Sequence, residues 1–452
     1  MIKEDVFEND HLWRAMFKMT IPTIFSSLFI VIYNLVDVFW IGQTGDANQI
    51  SALVLAMPVF MFMMALGNML GVGGSSYIAR LLGKKDFQTI KKTSAFCFYF
   101  SLVLGLLTNI CMVWGMPYLL KMLGTSSATS GFTEAYLTVV AYGCYALIFQ
   151  TAFSFIVRSE GASKESMIGM VIGTVVNIIL DPVCILYFGW GVQGVAIATI
   201  IGAFTSCLYF VWYMLKHSTN LSMNLYNLRL KGSIIREVIF VGLPASISQI
   251  FMCISHVVLN NFLAKYGDMP IASMGVALRI YSFVPIVNIG FATGVAPLLG
   301  YNLGSGNLKR LKAILYRALG LLFGMGLIFL FLFEVMASGF ISVMTDNAEI
   351  QVFSTYILRA VASTAPLLAV FFLAKTTLQA LGRAIEPLIL SVSRQGLIFM
   401  PTVIFFNKWF GLTGIVWAQP VADVFSMTMG VWMVFYFLHK ESQKFNILKQ
   451  RR

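Results

Sequence analysis

Residues 67–86 read GNMLGVGGSSYIARLLGKKD, and about 221 residues later VNIGFATGVAPLLGYNLGSGN, at 287–307, runs alongside them. Gly73 stands opposite Gly294 and Gly83 opposite Gly304. Two further pairs keep nearly the same offset. IPTIFSSLF near residue 21 matches LPASISQIF near 243, and QTAFSFIVRSEGASKESMIG (150–169) matches AKTTLQALGRAIEPLILSV (374–392), with Gly161 opposite Gly382. Apolar sequence can mimic one repeat by chance. Matches in the same order at a steady spacing describe a duplicated unit.

Composition says what kind of unit it is. The 452 residues are 58% hydrophobic and 11% charged, with a mean hydropathy of +0.83, whereas soluble domains are about 25% charged. So much Phe, Met, Leu and Ile cannot be buried in one aqueous core. A span needs roughly 20 apolar residues. That rule predicts an all-alpha polytopic membrane protein with twelve spans, at about 17–41, 51–79, 94–117, 134–157, 166–188, 192–215, 237–263, 271–299, 314–337, 352–378, 386–406 and 411–438. The duplication divides them into two pseudo-symmetric six-helix bundles. The amino-terminal lobe is expected at 1–215, a polar linker at 216–236, the carboxy-terminal lobe at 237–438 and a basic tail at 439–452. Repeats with an even number of spans share one orientation, which suits a transporter that opens alternately to either side.

The net charge of +12 raises nucleic acid as a partner, and the positions of the charges exclude it. Lys121, Lys265 and Lys408 are the only basic residues on the connections of one face, and Arg279, Arg359, Lys375 and Arg394 lie in or near span ends. The rest of the 31 Lys and Arg flank the other face, with both termini. The positive-inside rule places that face, and both termini with it, in the cytoplasm. The first 18 residues lack a signal-peptide pattern and read as an amphipathic lead-in. The cysteines show no disulfide or zinc spacing, and GVGG within 67–76 lies in an apolar helix and lacks the rest of a phosphate loop. No HExxH or paired catalytic constellation appears, so the chain does not read as an enzyme.

Acidic residues well inside spans are Asp37, Asp181, Glu334 and Asp423. A carboxylate in hydrocarbon must face protein or water, share a partner or hold a proton. Asp37 lies on the first span with Asn34 a turn earlier, and Asp181 on the fifth with Asn177 four residues before it and Pro182 after it. Thr199 on the sixth adds a hydroxyl. Together they form an oxygen-rich set that suits one proton or one sodium ion, with Asp37 and Asp181 as the charged ligands if the ion is sodium. No other cofactor is implied. Asp423 on the twelfth span has Arg394 and Lys375 as alternative partners. Together with His256, Asp423 and Lys375 are candidates for a substrate cavity. Abundant Phe and Met, with carboxylates among them, favour amphipathic organic cations as substrates. Glu334 is expected near the outer surface. Membrane lipids surround the protein, and a monomer suffices for function.

IPTIFSSLFIVIYNLVDVFWIGQTGD, the two-times-six layout and RSEGASKESMIGMVIGTVVNIILDPV together resemble the multidrug and toxic compound extrusion (MATE) family, and specifically its bacterial multidrug efflux members. The resemblance covers essentially the whole chain. It implies a V-shaped antiporter that exports cationic drugs and dyes in exchange for protons or sodium. Carried over, the amino-lobe cation site uses Asp37, Asn177, Asp181 and Thr199. Some relatives also carry acids on the seventh and tenth helices. Here SQIFMCISHVVLNNFL and the span around Lys375 contain none, which favours coupling in the amino lobe. The alternative reading is a flippase for lipid-linked saccharides, which would need several cavity-facing cations. A sodium-coupled importer and a membrane enzyme or scaffold are the remaining rivals.

Overall fold

The structure is a computed structural model, describing residues 5–8, 10–228 and 232–450. The expected lead-in, linker and tail therefore fall partly outside the described residues, at 1–4, 9, 229–231 and 451–452. After one turn at Asp5–Glu8 the first half runs α1 (Leu12–Gly42), α2 (Ala47–Gly83), α3 (Phe87–Met122), α4 (Ser130–Ser159), α5 (Ser163–Pro182, extended by a π turn Val183–Tyr187) and α6 (Gly191–Lys216). The second half runs α7 (Gly232–Ala264), α8 (Asp268–Tyr281 with Phe283–Gly304), α9 (Leu308–Ser342) and α10 (Ala348–Ala362 with Ala365–Ala380). A last helical run then extends from Ile385 and carries a π turn at Ser393–Leu397.

Ten helices among the described residues are long and apolar enough to cross a membrane, and the pair forming α10, bent by 47°, makes an eleventh span. The last run is two spans. Gly411, at φ 59° and ψ −137°, breaks it in a backbone region that only glycine enters freely. The parts on either side are α11 (385–410) and α12 (412–450). Twelve spans result among the described residues, and each segment expected from sequence falls within a residue of one of them.

The duplication survives in the details that start and stop helices. Asp86 caps α3, its Oδ1 accepting from the Thr89 backbone N–H at 3.1 Å. Asn307 caps α9 in the same way, with Oδ1 accepting from the Arg310 N–H at 3.0 Å. Asp86 also accepts from the Thr89 hydroxyl, and these bonds hold its carboxyl below the ordinary range. Gly161 (φ 89°) and Gly382 (φ 78°) both turn the chain just past a helix end, where a side chain would be strained. Pro22 interrupts the amide ladder of α1, and Pro244 interrupts that of α7.

The chain forms two compact units, Met1–Ser246 and Ile247–Arg452. Their division falls inside α7 and not in the polar stretch 216–236, because the first turns of α7 pack on α2. A Cβ at Gly73 would stand 1.9 Å from the Val238 carbonyl oxygen, and one at Gly242 would stand 1.8 Å from that of Met69. Arg80 adds a salt bridge to Glu237 at 2.9 Å, and Ser246 Oγ donates to the Ala65 carbonyl at 2.6 Å. The expected linker is no free tether either. Tyr99 donates to the Met223 carbonyl at 2.9 Å, and Ser222 N–H donates to Ser94 Oγ at 2.8 Å.

Candidate ion-coupling site

In the first unit α5 and α6 cross at bare backbone. A Cβ on Gly173 would lie 2.0 Å from Ser206 Oγ and 2.5 Å from the Gly202 carbonyl oxygen, and a Cβ on Gly202 would lie 2.5 Å from the Gly173 oxygen. Small residues at such a crossing let helices approach closely. The consequence for chemistry is that Asn177, a turn after Gly173, reaches α6. Its Nδ2 stands 3.4 Å from Asp181 Oδ1 and 3.5 Å from Thr199 Oγ1. Both are long for hydrogen bonds and correspondingly weak. Gln49, beyond α1, accepts from the Val192 N–H at 2.9 Å and fixes the start of α6.

From α1, the Asp37 carboxyl lies close enough to the Asp181 carboxyl and the Asn177 amide to interact with both. Asp37 is 7% exposed and Asp181 is 0% exposed. Three oxygens of this group, Asp37 Oδ1, Asn177 Oδ1 and Asp181 Oδ2, are buried without a hydrogen-bond partner. A buried unsatisfied polar atom costs about 1–3 kcal/mol, and more if charged. Three of them side by side, two on carboxylates, form a site that lacks positive charge. No group of three or more His, Cys, Asp or Glu that could hold a metal occurs among the described residues. A cation here would be held by two carboxylates together with the neutral oxygens of Asn177 and Thr199.

A cavity of about 50 Å³ adjoins the group, lined by Tyr33, Gln150, Thr151, Thr174, Asn177 and Thr199 among others. That volume holds a few waters or an ion, far less than the several hundred Å³ a drug-sized ligand needs. Tyr33 and Tyr136 both lie within electrostatic range of Asp37. Sequence reasoning missed Tyr136, because nothing in TEAYLTVVAYG separates it from a packing aromatic. Asn34, expected with these residues, uses its amide N–H within α1. Its Nδ2 donates to the Ile30 carbonyl of its own helix at 2.7 Å, as polar side chains inside helices commonly do.

The second unit treats its buried carboxylate differently. Asp423 is 1% exposed. Its Oδ1 accepts from Arg394 Nε at 2.6 Å and from Gln419 Nε2 at 2.8 Å, and its Oδ2 accepts from Thr364 Oγ1 at 3.2 Å. Of the two cations left open by the sequence, Arg394 is the partner. It comes from the π turn in α11, which points it at α12. Asp423 is therefore committed to a structural ion pair, and it is not a free acid lining a cavity. Lys375 is half-buried and His256 exposed, and each lies within range of the Arg394 guanidinium. Glu334 is exposed and pairs with Arg359 at 3.6 Å.

With this geometry in place, comparison with known proteins adds an independent line. The family model described as MatE matches residues 22–183 and 244–404, the two repeats. The multidrug export protein MepA of Staphylococcus saprophyticus subsp. saprophyticus is 33% identical, over 95% of this chain and 95% of the relative. Among solved structures, the outward-facing conformation of a multidrug resistance MATE family transporter of the MOP superfamily superposes with a TM-score of 0.92. It is 25% identical and covers 97% of this chain and 98% of that one. The crystal structure of MATE in complex with MaL6 gives a TM-score of 0.93 at 24% identity, over 98% of this chain and 100% of that one, a likeness of fold.

Proposed function

The chain belongs to the MatE family, and from that premise we propose that it is a secondary antiporter exporting amphipathic, mostly cationic drugs and dyes. Export is driven by inward movement of protons or sodium through the Asp37–Asp181 site. The observation that carries this reading is the set of orphaned oxygens on Asp37, Asn177 and Asp181, beside a cavity sized for an ion or water. Two adjacent buried carboxylates do not both ionise without a cation between them. The site therefore takes up one positive charge, as a proton shared by the carboxyls or as a sodium ion held by the same oxygens.

Loading and unloading that charge changes the electrostatic energy of α1, α5 and α6 together. Two of these helices have weak points where the backbone can rearrange. Pro22 leaves a carbonyl of α1 without its amide donor, and Pro182 opens the π turn that ends α5, a type of distortion common at functional sites. In this reading the protein acts as a monomer in a bacterial inner membrane, and the distribution of basic residues supports cytoplasmic termini. The saccharide-flippase alternative needs an abundance of free cations. Arg359 pairs with Glu334 and Arg394 gives its Nε to Asp423, so two of those cations are at least partly neutralised, which favours the drug antiporter. Lys375 and the Arg394 Nη groups stay unpaired among the described residues.

The test is ethidium transport in proteoliposomes with pH and sodium gradients imposed separately. The expected result is acceleration by one of the gradients in the wild type and loss of that response in Asp181→Asn. Transport indifferent to both gradients, or full coupling in Asp181→Asn, contradicts the reading. Folded protein that moves no organic cation sends the search to lipid-linked saccharides.

A further inference from the structure

The guanidinium of Arg394 is only partly used. Asp423 engages Nε, and neither Nη nitrogen makes a hydrogen bond among the described residues. The guanidinium is held over two rings of α10, 5.2 Å from the Phe371 centroid and 5.9 Å from that of Phe372. Lys375 follows Phe371 by four residues and Phe372 by three, so its ammonium stands one turn along the same helical stripe. Lys375 forms no ion pair or hydrogen bond among the described residues. The charged group acting on it is Arg394, and the same holds for His256 on α7. Positive groups thus gather inside the second unit around one carboxylate, and that carboxylate is already saturated by Arg394, Gln419 and Thr364.

A planar fork with two free Nη groups and a nearby ammonium has the geometry that binds an oxyanion bidentately. Lys375 is half-buried and the Arg394 side chain is 13% exposed, so neither donor is sealed in the core. We propose that Lys375 and the Arg394 Nη groups form an anion subsite that takes the carboxylate of zwitterionic amphiphiles. Taking amphiphiles as the ligand class rests on the export reading; the site itself rests on the unused donors. Its consequence is specificity. Substrates carrying both a cation and a carboxylate gain a contact that purely cationic ones lack. Arg394 serves two purposes at once, holding Asp423 through Nε and presenting its outer edge to the ligand.

The experiment compares rhodamine 110, which has a free carboxyl, with rhodamine 123, its methyl ester. Equilibrium binding is followed by fluorescence anisotropy on the full chain in nanodiscs of zwitterionic lipid. Lys375→Met should weaken binding of the acid about ten-fold, the effect of losing one charge-assisted hydrogen bond, and leave the ester within about two-fold. Lys375→Arg should keep the preference. An equal change for both dyes, or none for either, overturns the proposal. So does a Lys375 effect confined to retention of phosphatidylglycerol, which would make lipid phosphate the occupant. If Lys375→Met does not fold, wild type decides. Benzoate in excess should displace the acid and spare the ester, and failure to discriminate overturns the subsite. If neither dye binds, the export reading fails with it, an outcome distinct from binding without discrimination.

Discussion

Each unit buries carboxylate within its spans, and the two units neutralise it in opposite ways. In the second, Asp423 has a resident guanidinium and further donors from Gln419 and Thr364. In the first, Asp37 and Asp181 face each other with only a weakly placed amide between them and with oxygens left over. A carboxylate with its own arginine has no reason to exchange a cation. One without a partner must borrow a cation, and can release it. On the proposed function, the same duplicated scaffold carries one permanent charge pair and one exchangeable site. The difference lies in whether the fifth span of the repeat contributes an acid, as at Asp181, or a base, as at Arg394.

The largest expected effect breaks the permanent pair. Arg394→Met leaves Asp423 buried and uncompensated, at a cost of about 3–5 kcal/mol, measurable by thermal or denaturant unfolding in detergent. Replacing both partners with apolar residues should restore most of that loss. The matching change in the first unit, Asp37→Asn, should leave unfolding unchanged or improve it, since it removes a repelling charge. A comparable loss of stability in both would erase the contrast.

A smaller effect tests how the exchangeable site is placed. Gly202→Ala puts a methyl 2.5 Å from the Gly173 carbonyl oxygen and must push α5 away from α6. Such overpacking costs about 1–3 kcal/mol. It should also weaken the ion response of transport by moving Asn177 off Thr199. Transport kinetics and melting curves on the same preparation separate these consequences. Unaltered coupling would show that the close crossing does not position the site.

The smallest effect uses the paired caps. Asp86→Ala and Asn307→Ala should each cost about 1 kcal/mol. Only the first should depend on pH. The Asp86 carboxyl is held below its ordinary value by the Thr89 hydroxyl and backbone N–H. Its contribution is therefore complete above the unfolded value of about 4 and is lost as pH falls through the lower folded value. The difference in melting temperature between wild type and Asp86→Ala should shrink in acid, while that for Asn307→Ala stays level.

Much of this fold was legible in the sequence because span length, loop charge and glycine punctuation are local signals. Gly161 and Gly382 marked the same turn in both halves, and the residues around Gly411 already looked like the start of a last span. The unit boundary was not legible. The contacts that draw the start of α7 onto α2 come from Gly73 and Gly242, far apart in the chain and ordinary in a membrane helix. In the site, Asp37, Asn177, Asp181 and Thr199 stood out because polar oxygens inside apolar spans are costly. Tyr136 did not, since an aromatic gives no such signal. Asn34 shared the signal of its neighbours but bonds to its own backbone. The choice of Arg394 over Lys375 for Asp423 depended on a π turn that the sequence does not announce.

The most direct measurement compares Asp37→Asn with Asp423→Asn for gradient-driven ethidium export in proteoliposomes, at matched amounts of folded protein. The account predicts that Asp37→Asn loses its response to the driving ion, by about 10- to 100-fold. Asp423→Asn should be less stable yet keep the response per folded molecule. Intact coupling in Asp37→Asn, or coupling lost in Asp423→Asn alone, would contradict the assignment of ion exchange to the first unit.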